Sequence, residues 1–366
     1  MNPTIVETVN VVREVAWLPW AVQYFFLIGL SYGAFLVSLP GIVWRRPGWI
    51  GISRVALLAA LLCGLTAPVA LLADLHQPGR FYHFYLYFTP SSWMSWGAFF
   101  IPIYLGGLVL YAWLAFRPLL AQQAAADNAL SPRLARLCRL MAYGGFDSRG
   151  ALLAAAALAF VGASLVAVYT GMEVMVVRAR PLWDTPFLPV QFVVTALAGG
   201  IGLTLILQRF AGQPASSDDT KRLSKALAMT QGLALLIGAV WLLLGLTGWS
   251  PSHAQALAQV APSASWRLTA VWAAGSTALT LWLALRRPGS GWLIGLLALH
   301  SAWMMRWTIF IGGQEVPKTG AGFYQYQLPL GYDGLLGIVG TFGLWIALFI
   351  AITTLLPVAR LTTKSA

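Results

Sequence analysis

Ionisable and hydrogen-bonding side chains lie at the end of the fourth long apolar stretch of this sequence. Tyr169 and Glu173 are four residues apart and therefore share one face of a helix. Arg178 and Arg180 follow, and Pro181 disfavours helix at Arg180, so the chain turns there and can return both arginines over the helix end. Together these groups can donate hydrogen bonds and transfer protons. The alternative is structural: the arginines reach water and Glu173 compensates their charge.

A second polar group follows the second apolar stretch, in the segment ADLHQPGRFYHFYLYF. A turn at Pro78 and Gly79 is predicted to bring Asp74 near His76 and Arg80. These three side chains could exchange protons and bind an oxygen atom, and the aromatic rings beside them could line an apolar slot. An interfacial salt bridge with aromatic membrane anchors is the alternative.

The eighth apolar stretch contains two further polar residues, Arg306 and His300. At 1.5 Å per residue, Arg306 lies about 9 Å and His300 about 18 Å below the end of the stretch at Gly312. Charge buried in lipid costs at least about 2.5–3.5 kcal/mol, so Arg306 is a functional candidate. His300 is explained more simply as a hydrogen-bonded packing residue. Haem held by two histidines is not expected, because the other histidines lie in connections between the stretches.

These groups are set in a chain with the composition of a membrane protein. Of its 366 residues, 59% are hydrophobic and 9% are charged, against about 25% charged in soluble proteins. A membrane-spanning helix needs about 20 apolar residues. Nine stretches reach that length: Leu18 to Trp44, Gly51 to Asp74, Trp93 to Phe116, Gly150 to Val177, Pro186 to Leu207, Ser224 to Gly248, Trp266 to Leu285, Gly291 to Gly312 and Gly334 to Leu355. We therefore expect an all-α integral membrane protein with about nine transmembrane helices.

The distribution of charge predicts the orientation of these helices. Sixteen of the 23 Lys and Arg residues but four of the 11 acidic residues fall on one face, and the other face carries seven of each. By the positive-inside rule the first face is cytoplasmic, which places the N-terminus outside and the C-terminus inside. The net charge of +12 is thus a topology signal and not a nucleic-acid site. Residues 1–16 are expected to form an external segment that could hold an interfacial helix, residues 17–356 the membrane domain, and residues 357–366 a cytoplasmic tail.

The side chains at the external helix ends suit a quinone. Its ring and tail need apolar walls, its carbonyls need donors such as Tyr, His or Arg, and its two protons need a carboxylate or His path to water. With two cysteines, which lie far apart at Cys63 and Cys138, no iron–sulfur cluster or metal site is expected in this chain. The predicted quinone pocket comprises Tyr169, Arg178, Arg180, Arg306, His300 and Arg80, with Glu173, Asp74 and His76 as a proton relay.

Four segments resemble the NrfD/PsrC family, the membrane subunits of respiratory molybdopterin and multihaem complexes. They are WLPWAVQYFFLIGLSYGAF, LADLHQPGRF followed by SSWMSWGAF, VYTGMEVMVVRARPLWDTPFLP, and MMRWTIFIGGQEVP. The resemblance implies two four-helix bundles, to which this chain adds an extra helix. The ninth helix and the sequence IGGQEVPKTG look closer to the tetrathionate reductase branch of the family than to the polysulfide reductase branch.

The resemblance also implies a function. Such a subunit would bind menaquinone or ubiquinone near the outer face of the bacterial inner membrane. It would pass electrons between the quinone pool and an external four-cluster iron–sulfur subunit, which serves a molybdopterin catalytic subunit. Tetrathionate or polysulfide would be the terminal acceptor, on which this chain would not act alone. Tyr169 would hydrogen-bond the quinone, with Arg178 or Arg180 and Asp74 or His76 nearby.

Two other functions stay open. A secondary transporter for a small anion could use Arg306, Glu173 and His300, although the paired interrupted helices typical of such proteins are absent from the sequence pattern. A purely structural anchor, whose polar ends hold a partner, would tolerate Phe at Tyr169 and Gln at Glu173. The loop from Gly313 to Asp333, with Phe323, Tyr324 and Tyr326, is the candidate docking surface for a partner.

Overall fold

The computed structural model describes residues 15–125, 131–144, 148–212, 214, 217–316 and 323–362. Within these ranges every regular element is helical, and nine helices are long and apolar enough to cross a membrane. In chain order the helices are α1 (Pro19–Ile42), α2 (Ile50–Asp74), α3 (His83–Leu86), α4 (Trp93–Ala125), α5 (Pro132–Met141), α6 (Arg149–Met175), α7 (Phe187–Phe210), α8 (Asp218–Thr247), α9 (Pro251–Val260), α10 (Ala264–Arg286), α11 (Gly291–Trp307), α12 (Gly313–Glu315), α13 (Leu335–Leu355) and α14 (Val358–Thr362). A π-helical turn, Thr308–Gly312, joins α11 to α12, so that one span runs from Gly291 to Glu315.

The predicted all-α fold with nine membrane helices is confirmed for the described residues, but several helix ends differ. Helix α4 continues nine residues past Phe116 to Ala125, through a run of Ala and Gln that forms helix readily. Helix α8 begins at Asp218, six residues before the apolar stretch, because Ser217 caps its first turn by accepting the Thr220 N–H at 3.2 Å. Hydropathy marks where the apolar section ends, whereas capping and propensity decide where the helix ends.

The spanning helices form two groups of four with one helix outside them. Helices α1, α2, α4 and α6 make the first group, α7, α8, α10 and α11 make the second, and α13 packs on α2 and α1. The two groups meet where α1 contacts α7.

Small residues bring α1 and α7 into close contact. A Cβ atom added at Gly33 would lie 2.3 Å from the Ala196 carbonyl oxygen, and one at Gly200 would lie 2.4 Å from the Ala34 nitrogen. Glycine at both positions therefore lets the two backbones touch, as in other tightly packed membrane helices. This contact fixes α1 between the two groups, so its side chains face helices of both.

Successive spans run in opposite directions, which separates the protein into two faces. The basic face, as we call it, carries Arg45, Arg46, Arg149, Arg209 and Arg286, and the site face carries Asp74, Glu173, Glu315 and Asp333. The assignment of the basic face to the cytoplasm stays a prediction. Of the predicted terminal segments, residues 1–14 and 363–366 lie outside the described residues, and Val358–Thr362 forms the short helix α14.

Candidate functional site

A buried carboxylate and two phenols meet near the site face. Tyr169 and Glu173 lie one turn apart on α6 and are 2% and 9% exposed. The Tyr169 phenol is next to both the Glu173 carboxylate and the phenol of Tyr24 on α1. Two oxygens of this group, Glu173 Oε2 and Tyr24 Oη, are buried without a hydrogen-bond partner among the described residues. The group can therefore accept further hydrogen bonds or a proton.

Gly97 on α4 makes room for the Tyr169 ring. A Cβ atom at position 97 would lie 2.4 Å from two carbons of that ring, which is closer than any real contact. The ring thus lies directly on the α4 backbone, and this contact determines where the hydroxyl points.

Asp74 extends the group towards the site face. Its carboxylate lies near the backbone N–H groups of Leu18 and Ala21 at the start of α1, where helix geometry favours negative charge. Asp74 acts electrostatically on Glu173, and His76 and Asp333 act in turn on Asp74. Its Oδ1 atom is buried and has no partner among the described residues.

Arg306 lies deeper, between α11, α7 and α1, and is 1% exposed. Its guanidinium donates to the Thr195 hydroxyl and to the Phe192 carbonyl oxygen, the latter at 2.9 Å. It lies 4.9 Å from the centre of the Phe192 ring and beside the hydroxyl of Tyr32. No carboxylate is among these neighbours, and Nε has no partner in the described part of the protein. Among the described residues, the charge of this buried cation is balanced by dipoles and an aromatic face.

A cluster of aromatic rings packs beside Tyr24 and Phe192. Ring centres are 4.4 Å apart for Phe25 and Phe310, 5.1 Å for Trp17 and Phe310, and 5.5 Å for Trp17 and Trp183. Gln314 holds the cluster together, since its amide accepts from the Trp17 N–H at 3.0 Å and donates to the Trp17 carbonyl at 2.9 Å. The polar groups thus lie in surroundings that exclude water.

A cavity of about 490 Å³ opens on the site face, in the segment between α2 and α4. Its polar lining includes His76, Arg80 and His83, and its aromatic lining includes Phe81, Phe84 and Tyr87. The lining is close in the sequence to the buried group, since His76 follows Asp74 by two residues and Ser95 precedes Gly97 by two. Its volume falls within the range of about 300–1,000 Å³ that small-molecule sites occupy.

The comparisons with known proteins agree with this architecture. The model of a family described as "Polysulphide reductase, NrfD" matches residues 8–318. This protein belongs to the NrfD family. It is 39% identical over 349 residues to the C subunit of tetrathionate reductase from Salmonella typhimurium, and the match covers 93% of this sequence and 92% of that protein.

Two further relatives are more distant. The C subunit of selenate reductase from Mesobacillus selenatarsenatis is 30% identical, over 65% of this sequence and 58% of its own length. The polysulfide reductase C polypeptide of Wolinella succinogenes is 29% identical, over 53% and 59%. The predicted resemblance to the NrfD family is thus confirmed, and with it the multi-pass membrane architecture.

The structure brings together some of the predicted site residues of this NrfD-family protein. Tyr169, Glu173 and Asp74 form one group, and His76 and Arg80 line the adjoining cavity as exposed residues. In the described residues no three His, Cys, Asp or Glu side chains meet as a metal site.

Arg178, Arg180 and His300 have other surroundings. Arg178 is exposed. Arg180 donates to the carbonyl oxygens of Gly313 and Val316 at 2.7 and 3.0 Å, and partial burial lowers its pKa. His300 accepts a hydrogen bond from Trp272 Nε1 at 2.8 Å, on the side of α11 that faces α10. Arg180 therefore ties the segment after α6 to the end of the α11 span, and His300 joins two helices of the second group.

Several residues of the site were not predicted from the sequence. They are Tyr24 and Tyr32 on α1, together with Phe192 and Thr195 on α7. One signal was present: Tyr24, Ser31 and Ser38 recur every seven residues in an otherwise apolar stretch, and that spacing places polar groups along one side of a helix.

Proposed function

We propose that this protein is the quinone-reactive membrane subunit of a respiratory reductase complex in the bacterial inner membrane. The names of its relatives support the coarser part of this proposal, because three of them belong to tetrathionate, selenate and polysulfide reductases. The observation that carries the finer part is the unpaired Glu173 oxygen beside the Tyr169 and Tyr24 phenols, inside an aromatic wall.

The residues present fit a quinone. Unpaired buried oxygens at Tyr24, Glu173 and Asp74 mark a place where polar contacts remain to be made, and burying such atoms without partners is costly. The cavity on the same face of the protein is lined by donors and aromatic rings. When bound, a quinone supplies two-electron chemistry that is coupled to two protons.

Each residue of the group has a distinct part in this scheme. The Tyr169 and Tyr24 hydroxyls would donate hydrogen bonds to a carbonyl oxygen of a bound quinone. Glu173 holds a proton at its free carboxylate oxygen, and Asp74 exchanges that proton with the site face. Arg306 contributes positive potential beside the Tyr32 hydroxyl, which stabilises negative charge that develops during reduction.

The partners proposed for this protein are an iron–sulfur subunit of the four-cluster type and a molybdopterin catalytic subunit. We place the iron–sulfur subunit on the site face, over the segment from Gly313 to Asp333. Leu330 and Tyr332 of that segment are 78% and 71% exposed, and Glu315 anchors it by accepting the Tyr326 N–H at 3.0 Å. Residues 317–322 of the segment lie outside the described residues.

The first test is the ligand inventory of the protein, purified gently with its companions. Quinone is extracted, an optical spectrum reports haem, and iron is assayed for each subunit. We expect bound quinone in this protein and iron in a companion. A solitary protein that binds no quinone and moves a labelled anion into vesicles would overturn the proposal in favour of a transporter.

Substitutions separate a reactive site from a mere anchor. We expect Tyr169→Phe and Glu173→Gln to lower quinol turnover while the complex still assembles. Full turnover in both variants would reduce the protein to a structural anchor for its partners.

A further inference from the structure

We propose that the redox protons of this subunit enter and leave by the site face alone, along Glu173, Asp74 and Asp333, and that an apolar layer around Phe35 closes the route to the basic face. This inference rests on the proposed quinone chemistry and adds to it the side on which protons are exchanged. It also assigns roles to Asp333 and Phe35, which lie outside the quinone pocket described above.

The outward route is a series of three carboxylates, of which Glu173 is buried and Asp74 and Asp333 are half-buried. Glu173 is 9% exposed and its Oε2 atom is unpaired among the described residues. Asp74, at the end of α2, is half-buried and interacts electrostatically with Glu173 on one side and with Asp333 and His76 on the other. Asp333 is half-buried just before α13, and its neighbours Gly331 and Tyr332 are exposed. Asp74 and Asp333 are therefore further carboxylates that could take up a proton from Glu173, and Asp333 lies next to exposed residues of the site face.

Towards the basic face, hydroxyl groups on α1 and α4 follow one another in a pattern that resembles a proton path. On α1 the residues Tyr24, Ser31 and Ser38 recur every seven positions, and on α4 the facing residues are Gly97, Tyr104 and Tyr111 at the same interval. Ser31 pairs with Tyr104 at 2.7 Å, and Ser38 pairs with Tyr111 at 3.3 Å. Seven residues of helix rise about 10 Å, so neighbouring pairs are far beyond hydrogen-bond reach.

Two observations show that this path is interrupted. Ser31 donates its single proton to the Ala60 carbonyl oxygen at 2.7 Å, so the Tyr104 hydroxyl donates to Ser31 and the series ends on a backbone carbonyl. A backbone carbonyl accepts a hydrogen bond but has no proton to pass on. The Phe35 ring then lies edge-on between the two tyrosines, with ring centres 6.3 Å from Tyr104 and 5.7 Å from Tyr111.

The layer around Phe35 consists of fully buried apolar side chains. Phe35, Leu57, Leu58 and Leu108 are each 0% exposed, and an apolar layer of this kind offers a bridging water none of the two to four polar partners it requires. Beyond it, the cation near Tyr111 is Arg149, whose guanidinium donates to the Ile42 carbonyl oxygen at 2.8 Å. At the basic-face end of this series of hydroxyls, the neighbouring charged group is thus an arginine that binds a backbone carbonyl, and an arginine cannot accept a proton.

Quinol oxidation releases equal numbers of electrons and protons. Oxidation of one quinol breaks two O–H bonds, sends two electrons to the iron–sulfur subunit and releases two protons, and reduction of a quinone reverses each step. With the acceptor docked on the site face, electrons and protons cross the same boundary. Turnover then moves no net charge through the layer at Phe35.

The test uses the whole complex in liposomes, with its orientation read from the accessibility of a tag at the C-terminus, which follows α14 on the basic face. A menaquinol analogue is added with tetrathionate as the oxidant, because tetrathionate takes two electrons to give two thiosulfates and consumes no proton. Dyes report pH on each side and the membrane potential. We expect two protons per quinol on the site face and no potential.

The outcomes distinguish this inference from the proposed function. Quinol oxidation with protons on the basic face, or with a potential, would overturn the inference and leave the function intact. No oxidation of quinol would overturn both.

Variants and a measurement without turnover provide the controls. Asp333→Asn should slow proton release several-fold, whereas Asp184→Asn, at another acidic residue of the site face, should not. In liposomes held at an imposed potential, without quinol, the wild-type complex and Phe35→Leu should be proton-tight, and Phe35→Ser should leak. A wild-type complex that conducts protons under these conditions would contradict the seal at Phe35.

Discussion

The Tyr169 ring occupies the space that a side chain at position 97 would need, since a Cβ atom on Gly97 would lie 2.4 Å from the ring. The position of the proposed quinone donor therefore depends on the absence of a single methyl group on the neighbouring helix. This contact gives the sharpest structural test of the site.

Gly97→Ala should push the Tyr169 ring off α4 and lower quinol turnover. Overpacking of this kind costs about 1–3 kcal/mol, so the protein should still insert and assemble. Gly106→Ala on the same helix is the matched control, because nothing lies within 4 Å of the Cβ atom it would add. Quinol oxidation rates and the thermal midpoint of both purified variants are the measurements, and equal rates would show that the Tyr169 position is unimportant.

Glu173→Gln should slow quinol turnover by about 10²–10⁴-fold, the usual contribution of a general acid or base, because Gln keeps the shape of the side chain but cannot accept the proton. Ser164→Ala tests for non-specific effects of changing α6, since the Ser164 hydroxyl donates only within its own helix, to Phe160 O at 2.8 Å. The pH dependence of the remaining activity should also flatten. A Gln variant with the wild-type rate and pH profile would remove Glu173 from the relay.

Arg306→Met should lower turnover while the thermal midpoint stays the same or rises. A buried cation without a carboxylate partner is costly, and replacing buried charge by a well-packed apolar side chain is often neutral or stabilising. The lost positive potential should reduce turnover by about 10²-fold. Arg267→Met, at an exposed arginine, is the control for loss of charge alone. If the activity of Arg306→Met falls only in step with its folded fraction, the role of Arg306 is structural.

His253 should make the stability of the second helix group depend on pH. It lies on α9, 6% exposed, with Nδ1 2.6 Å from the Ser250 hydroxyl and Nε2 3.0 Å from the Thr185 hydroxyl. Burial lowers its pKa in the folded protein. As pH falls, His253 is therefore protonated at a higher pH in the unfolded protein than in the folded protein. Its contribution to the free energy of unfolding is complete above the unfolded pKa of about 6.5 and is lost as pH falls below that value.

Thermal midpoints of the detergent-solubilised protein between pH 8 and pH 5 would measure this effect. His253→Gln should flatten the part of the slope near pH 6. An unchanged slope in His253→Gln would assign the pH dependence to other groups.

The sequence predicted the all-α fold and its nine membrane helices, but it could not give the direction in which each side chain points. Arg306 and His300 both lie inside α11, six residues apart, yet Arg306 faces α7 and α1 while His300 faces Trp272 of α10. A helix that is apolar on all sides carries no stripe to show which side meets which neighbour. Tyr24 and Tyr32 were missed for the same reason, because tyrosines in an apolar stretch are identified as site residues only when α6 and α7 are placed against them.

The central position of α1 also has a consequence for how the protein is made. Tyr24, Ser31 and Tyr32 of α1 are synthesised before their partners in the folded protein. These partners are Tyr169, Tyr104 and Phe192, and they follow up to about 160 residues later. At 5–20 residues per second, that delay is roughly 10–30 s. During biogenesis the polar side chains of α1 therefore lack their protein contacts until α7 has been synthesised. An insertase or translocon that retains α1 until then would keep these side chains out of contact with lipid.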